Sequence, residues 1–102
     1  MSVKKQYLKR KTTCKVTFEL PPVAVGYANK VNIVGDFNNW STNATPMKRA
    51  ENGGFLATLD LRKDLHYEFL YLIDKRVWEV EREADRFVKN PFGDGDNSVI
   101  FV

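Results

Sequence analysis

The chain has 102 residues, of which 43% are hydrophobic and 13% aromatic, enough for one packed domain without disulfides or metal. This length excludes a catalytic (β/α)8 barrel, which needs roughly 250 residues. The net charge of +3 is unevenly placed: residues 1–12 carry five cations and no acid, and the rest of the chain carries −2. The sequence therefore predicts a basic, partly disordered tail over residues 1–13 and a single domain over 14–102, without the basic stripe typical of nucleic-acid binding.

The cysteine content and the length of the apolar runs indicate the cellular compartment of the protein. Cys14 is the only cysteine, so no internal disulfide can form and nothing points to an oxidising environment. Residues 1–13 lack the apolar stretch of a secretory signal, and no apolar run approaches the ~20 residues of a membrane span. We therefore expect a cytoplasmic protein with no nucleic acid and no membrane among its partners.

Short runs of alternating apolar and polar residues recur along the chain, with turn residues between them. Such runs predict strands rather than helices. The predicted strands are 15–20, 31–35, 47–49 (a short edge strand), 55–61, 65–73, 77–80 and 98–102. Asn52-Gly53-Gly54 predicts a hairpin turn, and 81–90 is expected to be irregular or one short helical turn. About seven strands in one domain predict an all-β fold, an immunoglobulin-like antiparallel β-sandwich.

Alternation along these strands also predicts the core. Val16, Phe18 and Leu20 share one face of the first strand, and Tyr67, Phe69, Tyr71 and Ile73 share one face of the longest, with His66 on the other side. The further aromatic residues expected in the core are Phe37, Phe55 and Phe101.

Candidate catalytic groups are few. The single histidine, His66, begins a strand, where a structural role is expected, and Cys14 is expected to be a buried, inert thiol. Four carboxylates alternate with other residues after Trp78: Glu79, Glu81, Glu83 and Asp85. They are expected on a flexible, solvated segment, which cannot hold the geometry that glycoside hydrolysis requires. The run Gly93-Asp94-Gly95-Asp96 predicts a tight turn rather than a calcium loop. We therefore expect no enzyme activity, no metal and no cofactor.

Three ordered segments show a family resemblance. They are VNIVGDFNNW at 31–40, followed by PMKR at 46–49; YEFLYLID at 67–74; and the segment from Asp85 to Val99 that contains DRF, NPFG and DNSV. Together they resemble carbohydrate-binding module family 48. This is the early-set domain that precedes the barrel in isoamylases and glycogen branching enzymes, and it forms the glycogen-binding domain of the AMP-activated kinase β subunit. The resemblance implies an immunoglobulin-like early-set sandwich, the fold that the strand pattern predicts independently.

The resemblance also implies sugar contacts. In the glycogen-binding members two tryptophans, a basic residue and an asparagine contact the glucan, and these tryptophans and the asparagine correspond to Trp40, Trp78 and Asn97. The basic residue corresponds to Leu70, which is a departure from the family pattern. Lys75 or Arg76, in a turn one residue longer than that of the kinase subunit, could compensate.

These observations imply two functions of different classes. The first is a non-catalytic module that binds α-glucan such as glycogen or starch and guides a partner enzyme of glycogen metabolism to the polysaccharide. The alternative is a protein-interaction sandwich that keeps the fold and has lost sugar binding, which the leucine at position 70 and the basic tail favour. A third function, glycoside hydrolysis, is opposed by the missing barrel, in which the catalytic residues of the larger enzymes lie.

Overall fold

The structure is a computed structural model that describes residues 1–25, 27–91 and 95–102. Its regular elements are nine strands, one short α-helix and one 3-10 turn. The strands are β1 Ser2–Tyr7, β2 Thr13–Leu20, β3 Val31–Gly35, β4 Lys48–Arg49, β5 Phe55–Arg62, β6 His66–Ile73, β7 Val77–Glu79, β8 Arg86–Lys89 and β9 Asp96–Phe101; the helix α1 is Pro22–Val25 and the 3-10 turn is Asp36–Asn38.

The strands form two antiparallel sheets. The four-stranded sheet has the order β1-β2-β5-β4, and the five-stranded sheet has the order β3-β6-β9-β8, with β7 also paired to β6. The inner faces of the two sheets pack against each other to form the core. The structure thus confirms the predicted all-β sandwich. No helix in the described part of the chain is long and apolar enough to cross a membrane.

The core is built by the alternation expected from the sequence. Phe18 of β2 and Phe69 of β6 are fully buried, and their ring centroids lie 5.1 Å apart in an edge-to-face arrangement. Phe37 packs against the same rings from the 3-10 turn, as predicted. Burying an aromatic or branched side chain of this kind stabilises a fold by about 1.5–3 kcal/mol. These contacts join the two sheets and give the outer faces a rigid support.

The N-terminal residues differ from the expectation of a partly disordered tail. Ser2–Tyr7 forms β1, which pairs with β2 from Ser2 opposite Glu19 to Tyr7 opposite Cys14. Backbone pairing to a neighbouring edge does not depend on side-chain polarity, so a basic segment can add a strand. Two ion pairs hold it, from Lys4 to Glu19 at 3.6 Å and from Lys5 to Asp85 at 2.6 Å. The ordered sandwich therefore begins before residue 14.

A second difference concerns residues 81–90, predicted as irregular. Arg86–Lys89 forms β8, which pairs with β9. Together, β1 and β8 raise the strand number from the predicted seven to nine. Phe101, predicted in the core, is 39% exposed, because alternation places it on the outward side of β9 with Asn97. The turn predicted over residues 93–96 lies partly outside the described residues.

Candidate functional site

The outer face of the five-stranded sheet gathers the candidate site residues. In a strand every second side chain points to the same face, and residues directly opposite one another in an antiparallel pair share that face. β6 places Leu70 opposite Val34, and Leu72 opposite both Asn32 and Trp78. The side chains on this outer face include Asn32, Val34, His66, Glu68, Leu70, Leu72, Trp78, Arg86, Val88, Asn97, Val99 and Phe101.

The middle of this face is apolar. Val34, Leu70, Leu72 and Val99 are all buried, yet they lie outside the core cluster between the two sheets. They form a second, smaller apolar layer, which we call the floor. Leu70, at the position where the resemblance implies a basic residue, is part of this floor and is 8% exposed. Where the resemblance implies a cationic side chain, this chain therefore has an apolar side chain that packs in the floor.

Trp40 is positioned by a tight loop at the end of β3. Asn38 closes this loop: its side-chain oxygen accepts from the backbone N–H of Gly35 at 3.1 Å, and its amide donates to the carbonyl of Ile33 at 2.9 Å. Asn39 and Trp40 both have left-handed backbones, with φ of 55° and 59°. Asparagine adopts this conformation readily, whereas for a residue such as tryptophan it costs about 1–3 kcal/mol, and such residues cluster at ligand sites. The chain thus holds a 37% exposed indole in a strained loop.

The indole of Trp40 is held by Asp36, which the sequence analysis did not single out. Asp36 Oδ1 accepts from Trp40 Nε1 at 2.9 Å, and Asp36 Oδ2 accepts from the backbone N–H of Glu68 at 2.8 Å. One carboxylate therefore ties the Trp40 loop to the rim of β6. The signal that could have identified it is the Asp-x-x-x-Trp spacing inside the motif at 31–40.

Trp40 and Asn97 line one shallow pocket of about 310 Å³, together with Asp36, Glu68 and residues 90–91. Asn97 is 3% exposed and donates from Nδ2 to Glu68 Oε1 at 3.2 Å. Its side-chain oxygen accepts from Asn90 at 3.4 Å. Both ends of the Asn97 amide are therefore engaged inside the protein, and its Glu68 partner is the more exposed polar group of the pair. Glu68 is a second pocket residue that sequence reasoning missed.

Trp78 lies on the same face in the row of Leu72, and its side chain is 49% exposed. The rows of Glu68 and Leu72 are four residues apart on β6, which corresponds to about 13 Å. The two tryptophans therefore stand at separate points along the face, with the apolar floor between them.

Lys75 connects the segments that carry the two tryptophans. It lies in the β6–β7 turn, where Asp74 and Lys75 have φ of 52° and 58°. Its ammonium donates to the carbonyl of Thr42 and to Asn43 Oδ1, both in the loop that follows Trp40. Lys75 therefore supports the loop geometry, while Arg76 of the same turn is exposed and does not line the Trp40 pocket.

Two of the four carboxylates predicted to be solvated, Glu81 and Asp85, are held in place instead. Glu81 is fully buried: its Oε1 accepts from the Tyr71 hydroxyl at 2.8 Å and its Oε2 from the backbone N–H of Glu83 at 2.8 Å. A buried carboxylate is tolerated when its oxygens are hydrogen-bonded. Burial, together with the charge of Glu81 and the hydrogen bond to it, raises the pKa of the Tyr71 phenol far above its usual range. Tyr71 lies on β6, ten residues before Glu81, and the spacing of the two residues does not by itself predict their contact.

Asp85 is anchored as well. Its partial burial by itself opposes ionisation, but hydrogen bonds from the Lys5 ammonium at 2.6 Å and the Phe101 N–H at 2.8 Å outweigh that effect and lower the pKa of Asp85. Within the described residues, no group of three or more His, Cys, Asp and Glu side chains is arranged to hold a metal ion. Cys14 is buried, as predicted.

A β-sandwich with two exposed tryptophans on one sheet face, above an apolar floor and beside hydrogen-bonding side chains, has the features of a carbohydrate-binding module. The model of one family, carbohydrate-binding module 48 (isoamylase N-terminal domain), matches residues 26–92. This is more than half of the chain, so the chain belongs to that family, and the resemblance noted in the sequence is confirmed. A search among curated proteins gave no match.

Proposed function

We propose that this protein binds α-glucan chains such as glycogen or starch on the outer face of its five-stranded sheet. The observation that carries the proposal is that Trp40 and Trp78 are 37% and 49% exposed on this one face. A glucose ring presents C–H bonds on its faces and hydroxyls at its edge. A flat indole covers the first, and amide or carboxylate groups bond the second.

The expected energy of each platform is moderate. An aromatic side chain has about 150–250 Å² to bury, so covering half an indole gives roughly 2–3 kcal/mol at ~25 cal/mol per Å². The loss of translational and rotational freedom on binding removes much of this gain. Two platforms therefore give modest affinity for one chain, and many chain segments on a branched polymer raise the apparent affinity.

The polar groups beside Trp40 complete the proposed site. Glu68 lines the pocket with Trp40, and its carboxylate oxygens accept hydrogen bonds from sugar hydroxyls. Asn97, whose amide is engaged by Glu68 and Asn90, supports Glu68 from below. Asp36 and Lys75 act on the loop that carries Trp40 rather than on the sugar. In this proposal the module holds a partner enzyme of glycogen metabolism close to the polysaccharide.

Native gel electrophoresis with and without glycogen in the gel tests the proposal. We expect glycogen to retard the wild type, and we expect Trp40→Ala and Trp78→Ala each to weaken binding about tenfold or more, the equivalent of losing ~1.4 kcal/mol or more. Tyr7→Ala is the matched control, because Tyr7 is a 53% exposed aromatic residue on the other sheet. Unchanged mobility of the wild type at high glycogen would reject the proposal.

A second candidate, a protein-interaction sandwich, is favoured by one observation. Leu70 is buried in the floor where the resemblance implies a basic sugar contact, so the face is more apolar than expected. If glycogen fails to retard the wild type, a pull-down with the wild type and with Trp40→Ala as baits distinguishes this candidate. A partner that is captured by the first bait and lost with the second would place a protein on the same face.

A further inference from the structure

An exposed aromatic pair lies at the far end of the same outer face. His66 at the start of β6 is opposite Phe101 at the end of β9. Their rings are stacked, with centroids 4.2 Å apart and an angle of 28° between the planes. Phe101 is 39% exposed, although a phenylalanine carries no polar group that favours contact with water. Neither residue lines the Trp40 pocket.

The pair is continuous with that site. His66 lies two residues before Glu68, so both side chains are on one face and about 7 Å apart along the strand. Glu68 lines the pocket that contains Trp40. From His66 to Leu72, whose row contains Trp78, the strand advances about 20 Å. The outer face thus carries aromatic groups at its two ends and beside its middle.

The pair is also held in place before any ligand binds. The backbone N–H of Phe101 donates to Asp85 Oδ2 at 2.8 Å, and Asp85 is itself bound by Lys5 at 2.6 Å. The next residue, Val102, exchanges backbone hydrogen bonds with Asp64 and Leu65, both at 3.0 Å. A platform fixed in this way loses little conformational entropy when it binds a ligand.

We propose that the His66–Phe101 pair is an additional subsite for a further sugar ring of the same glucan chain. This inference rests on the proposed function and extends it to the length of the ligand. The exposed surface of Phe101 covers the C–H face of a ring, and the imidazole nitrogens of His66 bond its hydroxyls. The protein then prefers a linear stretch of several glucose units, long enough to run from the Trp78 row past Trp40 to the pair.

The test compares oligosaccharides of two lengths, maltotriose and maltoheptaose, by calorimetric titration. Wild type is expected to bind maltoheptaose more tightly. Phe101→Ala is expected to keep the affinity for maltotriose and to lose about three- to tenfold for maltoheptaose, the range of an aromatic contact. Phe87→Ala is the matched control: Phe87 is 42% exposed on β8, but it lies opposite Ser98 and so on the other side of the sheet. This variant is expected to behave as the wild type.

Every other outcome of this titration overturns either the additional subsite or the proposed function. If Phe101→Ala binds both sugars as the wild type does, or loses affinity for both equally, the additional subsite does not exist. If the wild type binds neither sugar, the proposed function itself fails. Phe101→Trp provides a second measure should the alanine variant not fold: a larger platform should tighten maltoheptaose binding alone, and an unchanged or weaker affinity in a folded variant would overturn the inference.

Discussion

Replacing Asp36 by asparagine should release the indole of Trp40. The two carboxylate oxygens of Asp36 accept from Trp40 Nε1 at 2.9 Å and from the N–H of Glu68 at 2.8 Å. Asparagine has one acceptor oxygen and one amino group, so one N–H must then face another N–H. A hydrogen bond to a charged group contributes about 1.5–3 kcal/mol in protected sites. Asp36 is exposed, so the expected loss is about 1 kcal/mol.

This loss is comparable with the strain of the loop. Trp40 has a left-handed backbone, at a cost of about 1–3 kcal/mol. Without the full carboxylate clamp, less interaction energy opposes this strain, and the loop should relax. We therefore expect Asp36→Asn to lower the free energy of unfolding by about 1 kcal/mol and to speed solvent exchange of the Trp40 indole N–H.

Urea denaturation and NMR observation of the two indole N–H groups measure these effects. Trp78 serves as the internal reference, because it lies opposite Leu72, about 13 Å along β6 from the Glu68 N–H that donates to Asp36. Asp60→Asn is the matched control, since Asp60 is exposed on β5 of the other sheet. If Asp36→Asn unfolds at the same urea concentration as the wild type and its Trp40 indole exchanges no faster, Asp36 does not clamp the indole and the reasoning is refuted.

Three further substitutions test the structure elsewhere. Gly35→Ala should destabilise the protein by about 1–3 kcal/mol in urea, because a Cβ there would lie 2.4 Å from a backbone oxygen of β6. Tyr71→Phe should cost about 1–3 kcal/mol in the same assay, since buried Glu81 loses the hydroxyl that donates to it. Lys5→Ala should raise the pKa of Asp85 in an NMR titration, because the ammonium that lowers it is gone. A carboxyl with a lowered pKa stabilises the fold at neutral pH, and this contribution is lost as the pH falls through that pKa, so the variant should lose less stability on acidification than the wild type.

Each of these substitutions has a result that would contradict its prediction or a control in the same chain. For Gly35→Ala, wild-type stability in urea would show that the close approach of Gly35 to β6 costs nothing, since the extended backbone of Gly35 adds no strain of its own. If Tyr71→Phe is as stable as the wild type, the burial of Glu81 does not depend on the Tyr71 hydroxyl. Lys4→Ala is the control for Lys5→Ala. It should leave the pKa of Asp85 unchanged, because Lys4 pairs with Glu19 instead.

The sequence predicted those parts of the fold that depend on neighbouring residues. Alternation placed Phe18 and Phe69 in the core and His66 outside it, because the two-residue period of a strand is a local property. The family motif identified Trp40 and Trp78, and the structure brings both to one face. Their roles as sugar contacts stay predictions.

Long-range pairing decided the rest. The basic N-terminal segment became β1 because β2 had a free edge, and Lys5 met Asp85 across 80 positions of sequence. Phe101 looked like a core residue by composition, yet its register on β9 turned it outward. Likewise, Asp36 reaches the backbone of Glu68 32 residues away. The sequence by itself determined seven of the nine strands and the apolar faces of β2 and β6, since these follow from local alternation and turn chemistry. Only the tertiary structure decided which edges pair and which polar groups meet, because those contacts form between residues that no local pattern relates.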